Sequence, residues 1–297
     1  MNTFFALTKR DIKLFFRDKG MFFTSMITPV ILLVLYASFL GNIYRDSFVS
    51  QMPEGLSVSG KIVDGLVAGQ LISSILAVSC VTVAFCSNFL MVQDRANGTI
   101  KDLRIAPIRA SMLSMSYYVA TLLSTLVICL AAAGIGLAYI AALGWYLSAA
   151  DVLCLLLDVL LLVLFGTALS SIISFFLTTQ GQISAVGTIV SAGYGFLCGA
   201  YMPISSFSVG LQKVISLLPG TYGTALLRNH AMQGAFSAMQ REGVPETVIE
   251  ELKKAMDCRL MFFDRQVGIP GMYLILGISV AVLVLIYVLL NIWKKQK

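Results

Sequence analysis

Charge is scarce in this chain of 297 residues: only 12% are Asp, Glu, Lys or Arg, about half the share of a soluble domain. With 58% of residues hydrophobic, that excludes an ordinary water-soluble fold. Histidine occurs once, at His230, which excludes a His-based metal site or a Ser/His triad within this sequence. The six cysteines, Cys80, Cys86, Cys129, Cys154, Cys198 and Cys258, show no CxxC or Cys/His spacing for zinc. Five of them lie in apolar stretches, where a thiol behaves as a small hydrophobe. No G-x-x-x-x-G-K-[ST] loop is present, so a nucleotide phosphate cannot be cradled in that way. A cleavable signal peptide is not expected, because charges interrupt the first twenty residues throughout.

Long apolar runs are what the sequence has in abundance. A bilayer core about 30 Å thick takes roughly 20 apolar residues per helical crossing. Six spans are predicted near 21–41, 62–91, 111–143, 152–178, 183–203 and 270–292. The second and third are longer than an upright crossing needs, so they should tilt, break or project. Between Arg109 and Asp151 there is no charge, and Gly144-Trp145-Tyr146 supplies a turn with interfacial aromatics, so two helices fit there as a hairpin. Ahead of the first span, Phe4, Phe5, Ile12, Phe15 and Phe16 share one helical arc and Lys9, Arg10, Lys13 and Arg17 the opposite one. Residues 1–20 therefore read as an amphipathic helix in the membrane interface, the alternative being a soluble helix packed on a globular core.

Lysine and arginine placement sets the orientation. Lys9, Arg10, Lys13, Arg17, Lys19, Arg95, Lys101, Arg104, Arg109, Lys294, Lys295 and Lys297 fall on one side, against Arg45 and Lys61 in the short loops of the other. By the positive-inside rule both termini are cytoplasmic. The net charge of +6 is thus a topology signal, and nucleic acid is not an expected partner.

The long connection 204–269 carries the remaining seven basic residues. Leu211, Val214, Ile215 and Leu218 precede Pro219-Gly220 at helical spacing, which suggests a short amphipathic or re-entrant helix at the outer leaflet. Pro245 to Asp257 spaces Val248, Leu252 and Met256 on one face and reads as a small helical cap. The fifth span is rich in small residues, among them Gly187, Ser191, Gly193, Gly195 and Gly199. Small residues permit close helix approach, either between chains or within this one. Asp158 is the one carboxylate well inside an apolar run. It is either a proton or cation site or, near the outer interface, a structural group bonding Ser or Tyr neighbours. Arg228 is expected to pair with an acid of the cap, which the sequence does not identify.

The most informative stretch is the cytoplasmic loop Gln93 to Pro107. A polar, helix-competent segment with a Gly-Thr break and a closing proline can project a short helix across the membrane face and dock on a soluble partner; the alternative is a simple positive-inside loop. The pattern Asp94-Arg95, Gly98-Thr99, Leu103 and Pro107 resembles the signature loop of ABC-2 type permeases, the membrane subunits of ATP-binding-cassette exporters. Gly199-Ala200-Tyr201-Met202-Pro203-Ile204, Leu218-Pro219-Gly220-Thr221-Tyr222 and Leu226-Leu227-Arg228 are similar to that family's stretch after the fifth span. Residues 229–268 have no recognised counterpart and read as an insertion.

The resemblance implies a G-subfamily-like fold, all-α and polytopic. It has an interfacial helix (1–20), helices 1–5 with a coupling loop at 92–110 (21–203), a re-entrant segment and small extracellular helical cap (204–269), and a sixth helix with a cytoplasmic tail (270–297). It implies coupling to the ATPase through Asp94, Arg95, Gly98, Thr99, Leu103 and Pro107, and an outer gate at Tyr201, Pro203, Leu218 and Pro219. Cys80, Thr82, Phe85 and Asn88 of the second span, with Ser191, Tyr194, Gly195 and Leu197 of the fifth, would line the pathway. That surface is mostly apolar and suits a lipophilic or amphipathic substrate. The implied assembly is two permease chains, identical or related, with two copies of a separate ABC ATPase holding ATP and Mg2+, in the cell membrane. No cofactor is expected on this chain. The competing readings are an ion-coupled carrier built on Asp158 and an intramembrane lipid-modifying enzyme.

Overall fold

The computed structural model describes residues 3–50, 58–105, 108–263 and 265–293. Its architecture is all-α apart from one hairpin. In chain order come α1 (Thr3–Arg17), α2 (Lys19–Leu35), a π-helical turn (Tyr36–Leu40), α3 (Gly41–Ser50), α4 (Gly60–Ala96), α5 (Thr99–Ile105), α6 (Ala110–Leu143) and α7 (Ala149–Phe176). After these come α8 (Gln180–Leu197), α9 (Val209–Ile215), α10 (Pro219–Arg241), α11 (Glu246–Ala255), the antiparallel pair β1 (Leu260–Phe262) and β2 (Arg265–Val267), and α12 (Ile269–Trp293).

Among the described residues, five helical stretches are long and apolar enough to cross a bilayer: Lys19–Asp46, Gly60–Ala96, Ala110–Leu143, Ala149–Phe176 and Ile269–Trp293. The chain is thus an all-α polytopic membrane protein. The fifth span expected from the sequence differs. α8 is 18 residues long, about 27 Å, and its Gly, Ser, Thr and Gln content leaves it less apolar than the other five. It stops at Leu197 instead of running to 203, because Gly199 adopts φ +73°, a left-handed conformation that ends helices.

Local chemistry explains where the helices begin. Ser148 and Asp151 form a reciprocal capping box for α7, the Ser148 hydroxyl accepting from Asp151 N and the Asp151 carboxylate from Ser148 N. Thr179 and Gln182 do the same for α8. At the end of α4, Gly98 takes φ +82°, a conformation glycine adopts without a Cβ penalty, and α5 sets off in a new direction.

α4 is the axis of the molecule. At 37 residues it is about 55 Å long, well beyond the hydrocarbon, and it runs unbroken. It is apolar on every side and packs against α2, α6, α7, α8 and α10, so that 94% of its most apolar window is buried. Positions along α4 also fix the depth of its neighbours. Arg95 meets the end of α7, Phe89 lies against Gly187 of α8, Cys80 faces the Val159 carbonyl of α7, and Gly69 faces Ala231 of α10.

The helix α10 takes up the end of the expected re-entrant segment and the start of the expected insertion. Most of it is buried, against α4, α7 and α12. Its first turns reach the depth of Leu162, against which Gly223 packs, and it then runs on to Gly234, which packs on the α6–α7 turn at Tyr146. The polar residues that it buries have partners. Arg228 pairs with Asp257 at 3.0 Å and also donates to the Gly199 carbonyl at 2.5 Å, while Asp257 accepts from Ile204 N at 2.9 Å. Burial pushes the Asp257 carboxyl above its ordinary range and the facing Arg228 charge opposes that rise. One residue pair further along, His230 Nδ1 lies 2.6 Å from Asp158 Oδ2, and the Tyr273 hydroxyl donates to Asp158 Oδ1 at 2.7 Å. The single histidine and the intramembrane carboxylate are thereby joined, and they tie α7, α10 and α12 together.

Candidate functional site

Two regions are built in a way that packing alone does not require. The first is the end of α4 that carries α5. The Asp94 carboxylate is buried and held by Arg10 Nη1 of α1 at 3.0 Å and by the Tyr117 hydroxyl of α6 at 2.5 Å. Arg10 also pairs with Asp11 at 2.7 Å, and Asp11 in turn accepts from Ser116 of α6 at 3.4 Å. Asp11 is 1% exposed, and this burial, partly offset by Arg10, raises its carboxyl to about 6. On the neighbouring face, Arg95 donates to the carbonyls of Ser174 at 3.3 Å and Phe175 at 3.1 Å, and to that of Leu177. A guanidinium is well placed at a helix C-terminus, where carbonyls lack intrahelical partners. The end of α4 is thus fastened to α1, α6 and α7 together, and α5 hangs from it through Gly98.

The second region is a groove of about 780 Å³ between α2, α4 and α8, lined by Thr24, Cys86, Phe89, Gly187, Thr188 and Ser191 among others. Its α8 wall is made of small residues, which is what opens the space.

A family model for the ABC-2 type transporter matches residues 2–231. The chain belongs to the ABC-2 type transporter family. No curated protein matches the sequence. An ABC-2 permease is the membrane subunit of an ABC transporter, and the family implies an ABC ATPase subunit as partner. The match ends within α10, so α11, the hairpin and α12 of this ABC-2 permease lie beyond it.

Against that identity, the residues singled out in the sequence fall into distinct places. Asp94 and Arg95 are turned inward as fasteners, Thr99 is half-buried and Leu103 packs against the core, so α5 exposes Lys101, Asp102 and Ile105; Pro107 lies outside the described residues. Of the four α4 residues expected in the pathway, Cys80, Thr82 and Asn88 face the permease's own interior. Cys80 approaches Val159 of α7, Thr82 bonds its own helix at Val78, and Asn88 donates to Ser170 and Ser171 of α7 at 3.1 and 2.8 Å. Phe85 is buried and stacks edge-on with Phe89. The physical reason is that α4 is surrounded, so the side of it that meets the groove is Cys86, Phe89 and Gln93.

On α8, Ser191 lines the groove, whereas Gly195 is covered by the ring of Tyr201, whose hydroxyl donates to the Ser191 carbonyl at 3.3 Å. Tyr194 and Leu197 meet Leu218 and Pro219 in a separate cavity bordered by α12. Pro203 starts a single 3₁₀ turn at Ile204–Ser206. The four outer-gate residues therefore do not form one cluster: Tyr201 folds back on α8, and Leu218 and Pro219 begin α10. Sequence reasoning passed over Tyr117, Tyr273 and the pairing of His230, none of which carries a local signal. Among the described residues no group of three His, Cys, Asp or Glu side chains stands close enough to hold a metal ion.

Proposed function

We propose that this ABC-2 permease moves a lipophilic or amphipathic substrate out of the cytoplasm by alternating access, driven by a separate ATPase. The observation that carries the reading is the fastening of the α4 end: Arg10, Asp94, Tyr117 and Arg95 connect the segment that bears α5 to α1, α6 and α7 at once. A push on α5 is delivered to three helices instead of being absorbed by a loose loop, because buried networks have discrete arrangements and do not deform continuously. In this reading Thr99 to Leu103 docks on the ATPase, ATP and Mg2+ stay on that partner, and two permease chains with two ATPase copies form the working unit. The groove beside Gly187 and Ser191 is the inward-facing part of the path, and its lining, which sets Met21, Phe89 and Ile183 beside the hydroxyls of Thr24, Ser184, Thr188 and Ser191 and the polar Asp18 and Gln93, suits an amphipathic cargo.

The carrier reading is disfavoured by geometry, since Asp158 is engaged on both oxygens by His230 and Tyr273. The test is a photo-crosslinker placed at Lys101 of α5 in the full-length protein in native membranes, with a second at Glu246 of α11 as control. Capture of an ATP-binding-cassette ATPase from Lys101 and not from Glu246 supports the docking assignment. Capture of none from Lys101, with the protein stably inserted, refutes it.

A further inference from the structure

A cavity of about 370 Å³ is enclosed by the 3₁₀ turn, α9, the start of α10, the turn after α11 and the hairpin. Asp257 in its wall sets its depth in the bilayer. That residue pairs with Arg228, whose guanidinium reaches the Ser74 hydroxyl of α4 at 3.5 Å. Ser74 is about 30 Å from Arg95 along α4, the thickness of a bilayer core. With Arg95 at one boundary of the hydrocarbon, the cavity lies at the other, at the level of lipid head groups. The hairpin agrees with this placement, since it leads directly into the apolar helix that begins at Ile269. Val209, Met261 and Phe263 of the lining are exposed and give the mouth an apolar rim.

The charged side chains of the wall are Lys213, Lys254, Asp257 and Arg259. Two of them are already matched: Asp257 by Arg228 at 3.0 Å and Arg259 by Glu250 at 3.0 Å. Lys213, at the end of α9, and Lys254, at the end of α11, have no carboxylate in ion-pair reach among the described residues. Lys213 Nζ stands 5.9 Å from the centroid of the Phe263 ring, so α9 and the hairpin tip meet across the mouth. Two unbalanced ammonium groups from separate helices thus line one concave space and leave it positive. The backbone is also unusual here. Among the described residues, the non-glycine positions of positive φ are Asp257 at 54° and Phe263 at 52°, and both stand in this wall. Such a conformation is costly for a residue with a Cβ and gathers at ligand clamps.

We propose that this cavity binds a phosphate-bearing anion, whose oxygens accept from the Lys213 and Lys254 ammonium groups. Lysine is a flexible point charge with three donors, which suits the several equivalent oxygens of a phosphate. Ser205 and Gln266, also in the wall, add neutral donors. Two sources carry this group at head-group level: an anionic phospholipid and a free phosphate ester in the water beside it. The site stands apart from the transport reading, since occupancy is measured without ATP or an ATPase.

The test uses the full-length protein in a neutral detergent, with radiolabelled dioleoyl phosphatidylglycerol and glycerol 3-phosphate as probes and dioleoyl glycerol as the uncharged control. Saturable binding of a phosphate probe, roughly tenfold or more tighter than the uncharged lipid and weakened by salt, is expected. Binding of phosphatidylglycerol alone assigns a lipid head group, of glycerol 3-phosphate alone a free phosphate ester, and of both the shared phosphate. Lys213→Gln combined with Lys254→Gln is expected to weaken binding roughly tenfold or more. Both lysines are exposed and outside any ion pair, so folding is not at stake. Lys61→Gln combined with Arg241→Gln removes the same charge from exposed positions outside the cavity, and is expected to leave affinity within about twofold. Equal binding of charged and uncharged lipid, no saturable binding of either phosphate probe, or a loss in the Lys213 and Lys254 variant no larger than in this control overturns the proposal.

Discussion

Arg10 Nη1 stands 3.0 Å from Asp94 Oδ2, so α1 and the end of α4 that carries α5 are bonded to each other across 84 residues of sequence. Both side chains are largely withdrawn from water, 28% and 11% exposed, and Tyr117 completes the shell around the carboxylate. Loss of one partner leaves a buried charge incompletely bonded, which costs about 1–3 kcal/mol. Asp94→Ala is therefore expected to loosen α1 and to uncouple ATP-dependent transport while insertion is preserved. Protease accessibility of α1 in sealed vesicles, read beside transport, checks both halves.

Asp11 gives this junction a pH dependence. Burial raises its carboxyl to about 6 from an ordinary value of 3.8, so the folded state holds the proton more tightly than the unfolded chain. The docked form is then most stable below about pH 4 and loses stability as pH rises through about 6. The shift corresponds to about 3 kcal/mol. Thermal unfolding of the purified protein between pH 4 and pH 7 should show this fall, and Asp11→Asn should flatten it. A wild-type curve that rises with pH over the same interval contradicts the assignment.

The turn at Gly98 is a second point of leverage. Its φ of +82° costs about 1 kcal/mol or more for any residue with a Cβ. Gly98→Ala is expected to tilt α5 and reduce coupling, Gly98→Pro to abolish it, since proline cannot reach a positive φ. Leu103→Asp, at a half-buried position of α5 packed against the core, should uncouple and also lower the melting temperature. Comparison of transport with melting temperature separates the two effects.

The ion pair of Arg228 with Asp257 is buried, with side chains 1% and 7% exposed. Arg228→Ala is expected to destabilise the protein by about 3–5 kcal/mol, because Asp257 is left uncompensated. The double variant Arg228→Met with Asp257→Leu is expected to recover most of that loss. Melting in detergent of the single and double variants decides it.

Substrate handling should respond to bulk in the groove and not at Gly195. A Cβ at Gly187 meets only the edge of the Phe89 ring, at 3.3 Å, whereas one at Gly195 runs into the Tyr201 ring. Gly187→Leu is expected to block or reshape transport with little change in stability, and Gly195→Leu to disturb folding of the segment 199–208. Expression and melting, set beside uptake, distinguish the two.

How much of this was legible from sequence depended on how local the signal was. α6 and α7 stand out because an uncharged run between Arg109 and Asp151 and the Ser148 cap are local. α10 does not, because Arg228, Asn229 and His230 give it the composition of a soluble helix. Its burial rests on partners 29 and 72 residues away, which no periodicity reveals. The coupling loop was visible as a motif, while the inward turn of Asp94 depends on Arg10 and Tyr117. Which face of α4 meets which neighbour was not legible, because a helix apolar all round has no face that its pattern can distinguish.

The central claim is that this chain is the membrane half of an ATP-driven exporter worked through the α4–α5 end. Its most direct test is uptake of a lipophilic fluorescent probe into inside-out vesicles containing the permease and its ATPase, with the proton gradient collapsed. The account predicts accumulation that requires ATP, survives loss of the gradient and disappears in Asp94→Ala and Leu103→Asp. Accumulation that needs no ATP and follows the pH difference across the membrane would contradict it.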